Sequence, residues 1–249
     1  MRFTHLCFLA ALVTPVPAAA QIPDSEPGDY VVRTAGAPIR WWQAALAGGI
    51  IGGSSLADES LERSIQRHRT DGADAAASVL RKMGQPEVYL TIGLGTLAAG
   101  LIAHDSRVTR GGARISASLL LAGSVVGGGK LVLGRWRPSE SKAAFRFSPF
   151  SSHHSLPSGH ATLAFALAAS VADEVHRPWA TVLLYAGAGG TAWSRLNDDQ
   201  HWLSDVLAGA AVGITSAKLI NGRWRLFGLR PPRVLIGPGS AALQWQERF

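Results

Sequence analysis

The stretch 194–205 contains three side chains whose chemistry suits a phosphate group. His201 and Asp205 are four residues apart, so a helix over the apolar run after Trp202 would place both on one face. The carboxylate could then hold one imidazole nitrogen and leave the other as a base or nucleophile. Arg195, six residues upstream, could grip two phosphate oxygens with its planar guanidinium. A His–Asp pair alone at this spacing is more often structural, so a catalytic interpretation depends on matching residues elsewhere.

A second segment, Pro157-Ser158-Gly159-His160, directly precedes an Ala-, Leu- and Phe-rich run. Pro and Gly at the start of a helix leave free backbone N–H groups at its positive end, where anions bind. Ser158 adds a hydroxyl donor, and His160 adds a second titratable imidazole in the first turn. The segment alone is equally consistent with an ordinary helix start that carries an incidental histidine.

A third segment contains Lys130 and Arg137, which are seven residues apart. That spacing is two helical turns, so we expect both side chains on one face of a helix that Pro138 ends. Arg135 lies between them and would point away from that face, which predicts a surface position. Alone, this segment could be a basic helix end at a membrane surface.

Taken together, the three segments resemble the tripartite signature of the type 2 phosphatidic acid phosphatase (PAP2) superfamily. The matching motifs are Lys130-x6-Arg137-Pro138, Pro157-Ser158-Gly159-His160 and Ser194-Arg195-x5-His201-x3-Asp205. That superfamily also includes bacterial non-specific acid phosphatases and vanadium haloperoxidases. Every signature position is filled in the expected order, so the match is specific, although it covers residues 130–205 and leaves 1–84 and 221–249 poorly matched.

The resemblance implies a role for each signature residue. His201 would attack phosphorus and form a phosphohistidine, and Asp205 would orient and stabilise it. His160 would protonate the leaving oxygen and then activate the hydrolytic water. No metal and no cofactor would be required, because cations and N–H groups would stabilise the charge of the transition state. The residues expected to hold the phosphate oxygens are Lys130, Arg137, Ser158, Gly159 and Arg195.

The composition fits one domain with apolar helices. The 249 residues are 47% hydrophobic but only 16% charged, and the net charge is +7. A basic chain could bind nucleic acid, but no basic stripe is interleaved with aromatic residues, so we expect no nucleic-acid partner. The positive charge instead favours an anionic substrate and a membrane surface. No His, Cys and carboxylate residues occur together at metal-ligand spacing.

The predicted organisation has five parts. Residues 1–20 combine a basic start, an apolar core and an Ala-rich end, which is typical of a secretory signal peptide; an uncleaved membrane anchor is the alternative. Cleavage would remove Cys7, the one cysteine of the chain. The remaining parts are an exposed arm (21–40), a peripheral helical segment (41–84), a PAP2-like phosphatase domain (85–220) and a basic C-terminal tail (221–249) in which two short strands pair.

The predicted fold is all-α: a bundle of about five to six apolar helices with a PAP2/haloperoxidase-like core, embedded in a membrane. Tryptophans at segment ends resemble an interfacial belt. We expect the first segment (41–57) to lie peripherally, in which case the arginine-rich turns are cytoplasmic and the three motifs face the periplasm. If it spans, the motifs are cytoplasmic. The apolar segments are 41–57, 87–104, 113–133, 160–173, 179–193 and 202–220.

These observations predict a phosphatase of the bacterial inner membrane that hydrolyses phosphate monoesters or pyrophosphates, most readily those of a phosphorylated lipid. The nearest alternative is a soluble, periplasmic acid phosphatase of broad specificity, which the signal peptide and modest hydropathy also fit. A vanadium haloperoxidase is disfavoured by the short chain. A catalytically inactive membrane scaffold or lipid-binding protein is disfavoured because no signature residue is missing.

Overall fold

The computed structural model describes residues 36–225 in full, together with the backbone of 233–237 and 240–244. The predicted signal peptide and most of the predicted arm lie outside the described residues. Within the described part the chain forms eight α-helices and two pairs of short strands. The helices are α1 (Trp41–Ser55), α2 (Asp58–Arg67), α3 (Asp71–Met83), α4 (Pro86–Ile102), α5 (Ser106–Leu133), α6 (Gly159–Val175), α7 (Pro178–Asn197) and α8 (Leu203–Ile220).

All six predicted apolar segments form helices, which confirms the all-α helical bundle. Segment 113–133 begins earlier than predicted, because α5 starts at Ser106. Asp105 caps this helix: its carboxylate accepts hydrogen bonds from the N–H groups of Arg107 (2.8 Å) and Val108 (3.1 Å). An N-cap aspartate satisfies donors that the first turn leaves free, so the helix can begin among polar residues.

Helices α6 and α8 form the centre of the bundle and run side by side in the same direction. At their start, the Ser158 N–H donates to the carbonyl oxygen of Asp205 (3.0 Å). Near their end, the Lys218 Nζ lies 2.6 Å from Asp173 Oδ1. Gly213 allows this close approach, because a Cβ there would collide with the backbone of Thr162 on α6. Close helix contact of this kind depends on small residues.

The outer surface of the bundle is strongly apolar. Leu120 on α5 and Val182 on α7 are 63% and 67% exposed, and α1 has no buried residue at all. Within the described residues, α5 and α8 are long and apolar enough to cross a membrane. Exposed apolar side chains on several helices are the pattern expected of a surface that meets lipid.

The strands lie outside the helical core. The first pair is parallel and joins β1 (Ala37–Pro38) to β2 (Trp224–Arg225). The second pair is antiparallel and joins β3 (Arg233–Gly237) to β4 (Ser240–Gln244). The latter confirms the strand pair predicted in the C-terminal tail.

Candidate active site

The first motif straddles the end of α5 rather than lying on one helical face, so the prediction of a helix continuing to Pro138 is wrong. Gly134 ends the helix in the left-handed conformation (φ 56°), and its N–H donates to the Lys130 carbonyl (3.0 Å). A Cβ at Gly134 would collide with the Ser148 carbonyl, so both the conformation and the contact favour glycine. Lys130 therefore occupies the last turn, and Arg137 belongs to the following loop.

Arg135 is buried, which contradicts the prediction of a surface position. Only 2% of its area is exposed, because the chain leaves the helix before this residue and turns it inward. Its guanidinium donates to Asp205 Oδ1 (2.6 Å), Asp58 Oδ2 (2.8 Å) and the Ala144 carbonyl (2.9 Å). It also lies 5.7 Å from the centre of the Trp202 ring, within range of a cation–π interaction.

His201 and Asp205 meet across the start of α8. Since the helix begins at Leu203, His201 precedes it and Asp205 lies in its first turn, so the pair does not share a helical face as predicted. The Asp205 carboxylate accepts the Trp202 N–H (2.9 Å) and the Ser155 hydroxyl (2.5 Å). The His201 Nδ1 faces the same carboxylate at 3.7 Å, an electrostatic contact longer than a hydrogen bond.

Burial decides the protonation state of His201. The side chain is almost completely enclosed, and this desolvation lowers its pKa to about 4, even though the Asp205 carboxylate opposes the shift. The imidazole is therefore neutral at pH 7. A neutral imidazole keeps a lone pair on one ring nitrogen and can act as a nucleophile.

The second motif forms the start of α6, with Ser158 as the N-cap and Gly159 as the first helical residue. The bond from Ser158 N–H to Asp205 places this start beside the start of α8. Lys130 approaches from α5: its Nζ lies 3.7 Å from the position that a Gly159 Cβ would occupy. Among the described residues, Ser158 Oγ, His160 Nε2 and Arg195 Nε are buried without a hydrogen-bond partner.

The arginines of the first and third motifs are oriented by neighbouring polar groups. Arg195 is 6% exposed and donates to Asp198 Oδ2 (2.9 Å), and Arg137 donates to Gln200 Oε1 (2.5 Å). The position of Asp198 just ahead of α8 predicts a solvated or capping residue; instead it binds Arg195 and also Arg81 (3.1 Å).

All eight predicted site residues thus converge on the starts of α6 and α8. The charges of Lys130, Arg137 and Arg195 and the ring of His201 all act on His160. Of the three cations, Arg195 is buried and Lys130 and Arg137 are partly buried. Cations beside unpartnered donors are the arrangement expected of an oxyanion site.

Stacking and hydrogen-bond contacts hold the loop between the first two motifs beside this site. The Trp136 ring stacks on His153 (3.5 Å between ring centres) and lies 3.7 Å from the Arg146 guanidinium on a cation–π contact. His153 also contacts Glu140 (3.1 Å). His154 lies close enough that burial and the charges of Lys130 and Arg137 lower its pKa. Neither histidine is the freely solvated residue that a loop position predicts.

Sequence reasoning missed two charged residues of the network around Asp205, namely Arg135 and Asp58. The surface position predicted for Arg135 followed from the assumption that the helix continues to Pro138. Asp58 is 77 positions away from Arg135, and no spacing rule connects them.

The fold and site together define an all-α protein with a cluster of cations and histidines suited to an oxyanion. Comparison with known proteins identifies the family. The family model described as PAP2 superfamily matches residues 111–225. This segment contains all three motifs and belongs to the PAP2 superfamily.

Individual relatives agree with this assignment. Over 108 residues the chain is 40% identical to a lipid A 1-phosphatase from Porphyromonas gingivalis, a match that covers 43% of this chain and 22% of that protein. The match thus spans about a fifth of the curated relative.

Two solved structures share the fold at 20% sequence identity. The crystal structure of Aquifex aeolicus LpxE matches with a TM-score of 0.51 and covers 65% of this chain and 92% of its own. A transmembrane PAP2-type phosphatidylglycerolphosphate phosphatase from Bacillus subtilis matches with a TM-score of 0.53 and covers 72% and 90%.

Proposed function

We propose that this protein is a PAP2-type phosphatase that hydrolyses a lipid phosphate or pyrophosphate through a phosphohistidine on His201. The observation that carries the proposal is the convergence of Lys130, Arg137 and Arg195 around two histidines, one of which faces a buried carboxylate. Three cations near one pocket can hold the non-bridging oxygens of a phosphoryl group, and the histidines supply nucleophilic and acid–base chemistry.

The reaction would proceed in two displacements. In the first, the lone pair of the neutral His201 imidazole attacks phosphorus while the bond to the ester oxygen breaks, and His160, which is protonated in the complex with the anionic phosphate, donates its proton to that oxygen. In the second, His160 takes a proton from water as the water oxygen attacks phosphorus and the N–P bond breaks. The products are the dephosphorylated alcohol and inorganic phosphate, and both histidines return to their starting protonation.

Each remaining site residue has a proposed part in these steps. Asp205 would stabilise the positive charge that develops on His201 when the N–P bond forms. Ser158 Oγ and the Gly159 N–H, at the positive end of α6, would donate to the phosphoryl oxygens alongside the three cations. Their placement at one helix start and the buried, unpartnered hydroxyl of Ser158 support this assignment.

A lipid substrate is supported by the surface around the site. Phe145, Phe147 and Phe150, in the loop between the first two motifs, are 60%, 42% and 73% exposed. Together with the apolar outer faces of α4, α5 and α7, they would place the pocket beside lipid chains. The candidate substrates are phosphatidic acid, phosphatidylglycerol phosphate, isoprenyl pyrophosphate and lipid A phosphate. The name of the Porphyromonas relative supports testing lipid A phosphate first.

We further propose that the site faces the periplasm. Three connections lie at the end of the bundle opposite the site: the turn between α4 and α5, the turn between α6 and α7, and the segment after α8. These connections and the adjoining helix ends carry basic residues. Positive residues favour the cytoplasmic side, so the opposite end with the three motifs would be periplasmic. The basic residues in question are Arg107, Arg110, Arg114, Arg177, Lys218 and Arg223.

The test is phosphatase activity of the detergent-solubilised full chain in EDTA, with the four lipid substrates set against p-nitrophenyl phosphate and sugar phosphates. We expect turnover of at least one lipid phosphate, preferred over soluble esters and inhibited by vanadate. Equal turnover of soluble esters would instead indicate a broad-specificity periplasmic acid phosphatase, in particular if the protein is extracted without detergent. Absence of turnover from folded protein that still binds vanadate would reduce the site to a binding site and contradict the proposal.

A further inference from the structure

A buried network of charges links α2 to the proposed catalytic pair. Asp58, the first residue of α2, accepts the Ser204 N–H (2.9 Å) and the Ser204 hydroxyl on Oδ1 and Oδ2, and Arg135 Nη2 lies 2.8 Å from its Oδ2. Arg135 Nη1 in turn donates to Ser204 Oγ (2.7 Å) and Asp205 Oδ1 (2.6 Å). None of the four side chains is more than 2% exposed. Such complete burial means that solvent cannot balance these charges.

The net charge of this network determines how strongly Asp205 can stabilise a positive charge on His201. One guanidinium is shared by two carboxylates, so the ionised group of Asp58, Arg135 and Asp205 carries a net charge of −1. Without Asp58, the guanidinium would pair with Asp205 alone and cancel its charge. Asp205 could then no longer stabilise the positive charge that forms on His201 during attack, because the field of a tight ion pair falls off quickly.

The rest of α2 holds the loops on both sides of this network. The Glu59 carboxylate accepts the Ala144 N–H (3.0 Å), and Glu62 pairs with Lys142 (2.8 Å), both in the loop after the first motif. Gln66 donates to the carbonyls of Leu196 (3.2 Å) and Asn197 (3.3 Å) in the third motif. Helix α2 thus contacts the first and third motifs at once, although it lies outside the residues that match the family model.

We propose that Asp58 is a positioning residue of the active site: it balances Arg135 so that the Asp205 charge remains available to His201. The inference rests on the proposed function. It also extends the functional part of the chain back to α2, beyond the predicted domain boundary at residue 85. Asp58 bonds to Arg135 and Ser204 and has no bond to the residues expected to hold phosphate, so its loss is expected to slow chemistry without weakening phosphate binding.

The experiment compares Asp58→Asn with wild type on the best substrate of the panel. The amide keeps the shape of the side chain but removes its charge. We expect kcat to fall roughly 10- to 100-fold while KM and the inhibition constant of inorganic phosphate stay within about 3-fold, since the interaction acts only when charge develops on His201. The matched control is Asp173→Asn, which removes an ion-paired carboxylate at the far end of α6 and is expected to leave kcat within about 2-fold.

The outcomes separate the inference from the proposed function. Wild-type activity together with an unchanged kcat in folded Asp58→Asn would overturn the role of Asp58 alone. Equal losses in kcat, KM and the binding of inorganic phosphate, or equal losses in both variants, would indicate a general structural defect and also overturn it. Absence of turnover by the wild type would overturn both proposals.

A milder variant keeps the test decisive if Asp58→Asn does not fold. Ser204→Ala removes one hydrogen bond from Asp58 and one from Arg135 and leaves every charge in place. We expect kcat to fall about 3- to 10-fold with KM unchanged, because Asp58 and Arg135 lose the hydroxyl that aligns them. A kcat equal to that of wild type in this variant would contradict the positioning role.

Discussion

The two ends of α6 and α8 carry similar pairs of charges in different surroundings. At the start of the helices, the side chains of Asp58, Arg135 and Asp205 are between 0% and 2% exposed. At the far end, Lys218 pairs with Asp173 (2.6 Å) and Arg114 pairs with Glu174 (2.8 Å), and those side chains are between 11% and 25% exposed. The distances are alike, so the difference between the ends is solvent access.

This difference separates the charges proposed to take part in chemistry from ion pairs at the opposite ends of the helices. A partly exposed ion pair contributes at most about 1 kcal/mol, since water and salt screen it. A buried charge must be balanced by neighbouring protein groups, because water cannot reach it, and the loss of one partner leaves the other charge uncompensated. Only the buried end can therefore hold His201 neutral and direct a carboxylate at it.

The largest effect is expected from His201→Ala at the site end. Removal of the proposed nucleophile should reduce kcat by roughly 10³-fold or more, while inorganic phosphate still binds, because Lys130, Arg137 and Arg195 remain. Rapid-quench detection of labelled phosphoenzyme gives a second measurement, with no label expected in the variant. Full activity in the variant would exclude His201 as nucleophile.

Loss of a cation should affect stability differently at the two ends. Arg135→Met leaves two buried carboxylates without their cation and is expected to lower the free energy of unfolding by about 3–5 kcal/mol. Arg114→Met removes a partly exposed pair and should cost about 1 kcal/mol or less. Chemical unfolding in detergent, followed by circular dichroism, measures both. Equal losses of unfolding free energy in the two variants would show that burial does not make the ion pairs at the site end more important for stability than those at the far end.

Acid should destabilise the protein through His201. Because the pKa of His201 is about 4 in the folded state and about 6.5 when unfolded, the unfolded chain binds an additional proton between these values. Protonation of His201 therefore leaves the free energy of unfolding unchanged above about pH 7 and lowers it as the pH decreases from 6.5 to 4. Below pH 4 this contribution reaches about 3 kcal/mol.

The comparison that checks this prediction is wild type against His201→Gln, unfolded at several pH values from 7.5 to 4. The variant cannot bind the proton, so its stability should decrease less steeply in this window. Parallel curves for the two proteins would mean that His201 is not held neutral by burial.

The smallest effect is expected from Asp173→Asn at the far end. Lys218 is partly exposed and can be solvated when its partner loses its charge, so the free energy of unfolding should fall by about 1 kcal/mol or less. Turnover should remain within about 2-fold of wild type, measured with the same substrate. A large loss of activity would show that the two ends are coupled along α6 and α8.

Most of the fold followed from local patterns. Apolar runs bounded by polar residues marked the helices α1 and α4 to α8, and the polar stretch 58–86 was helix-compatible and forms α2 and α3. The predicted start of α5 at residue 113 was too late. An apolar run marks only the buried or lipid-facing part of a helix, whereas the Asp105 cap lets α5 begin at Ser106 with a polar first turn.

The sequence by itself determined which residue types were available for phosphate chemistry. Each of the three motifs is short, so their residue types and spacing could be matched to the PAP2 signature, and that resemblance selected Lys130, Arg137, His160, His201 and Asp205. Their roles remain proposals, but the fold brings all of them to one place.

Only the tertiary structure decided what surrounds Asp205. The left-handed turn at Gly134 ends α5 and directs Arg135 inward, and a helix 77 residues away in sequence supplies Asp58. Helical spacing predicts neighbours a few residues apart. The partners of a buried arginine depend instead on which carboxylates the packed helices bring beside it. Such a pairing is required because an unbalanced charge in the interior is strongly destabilising.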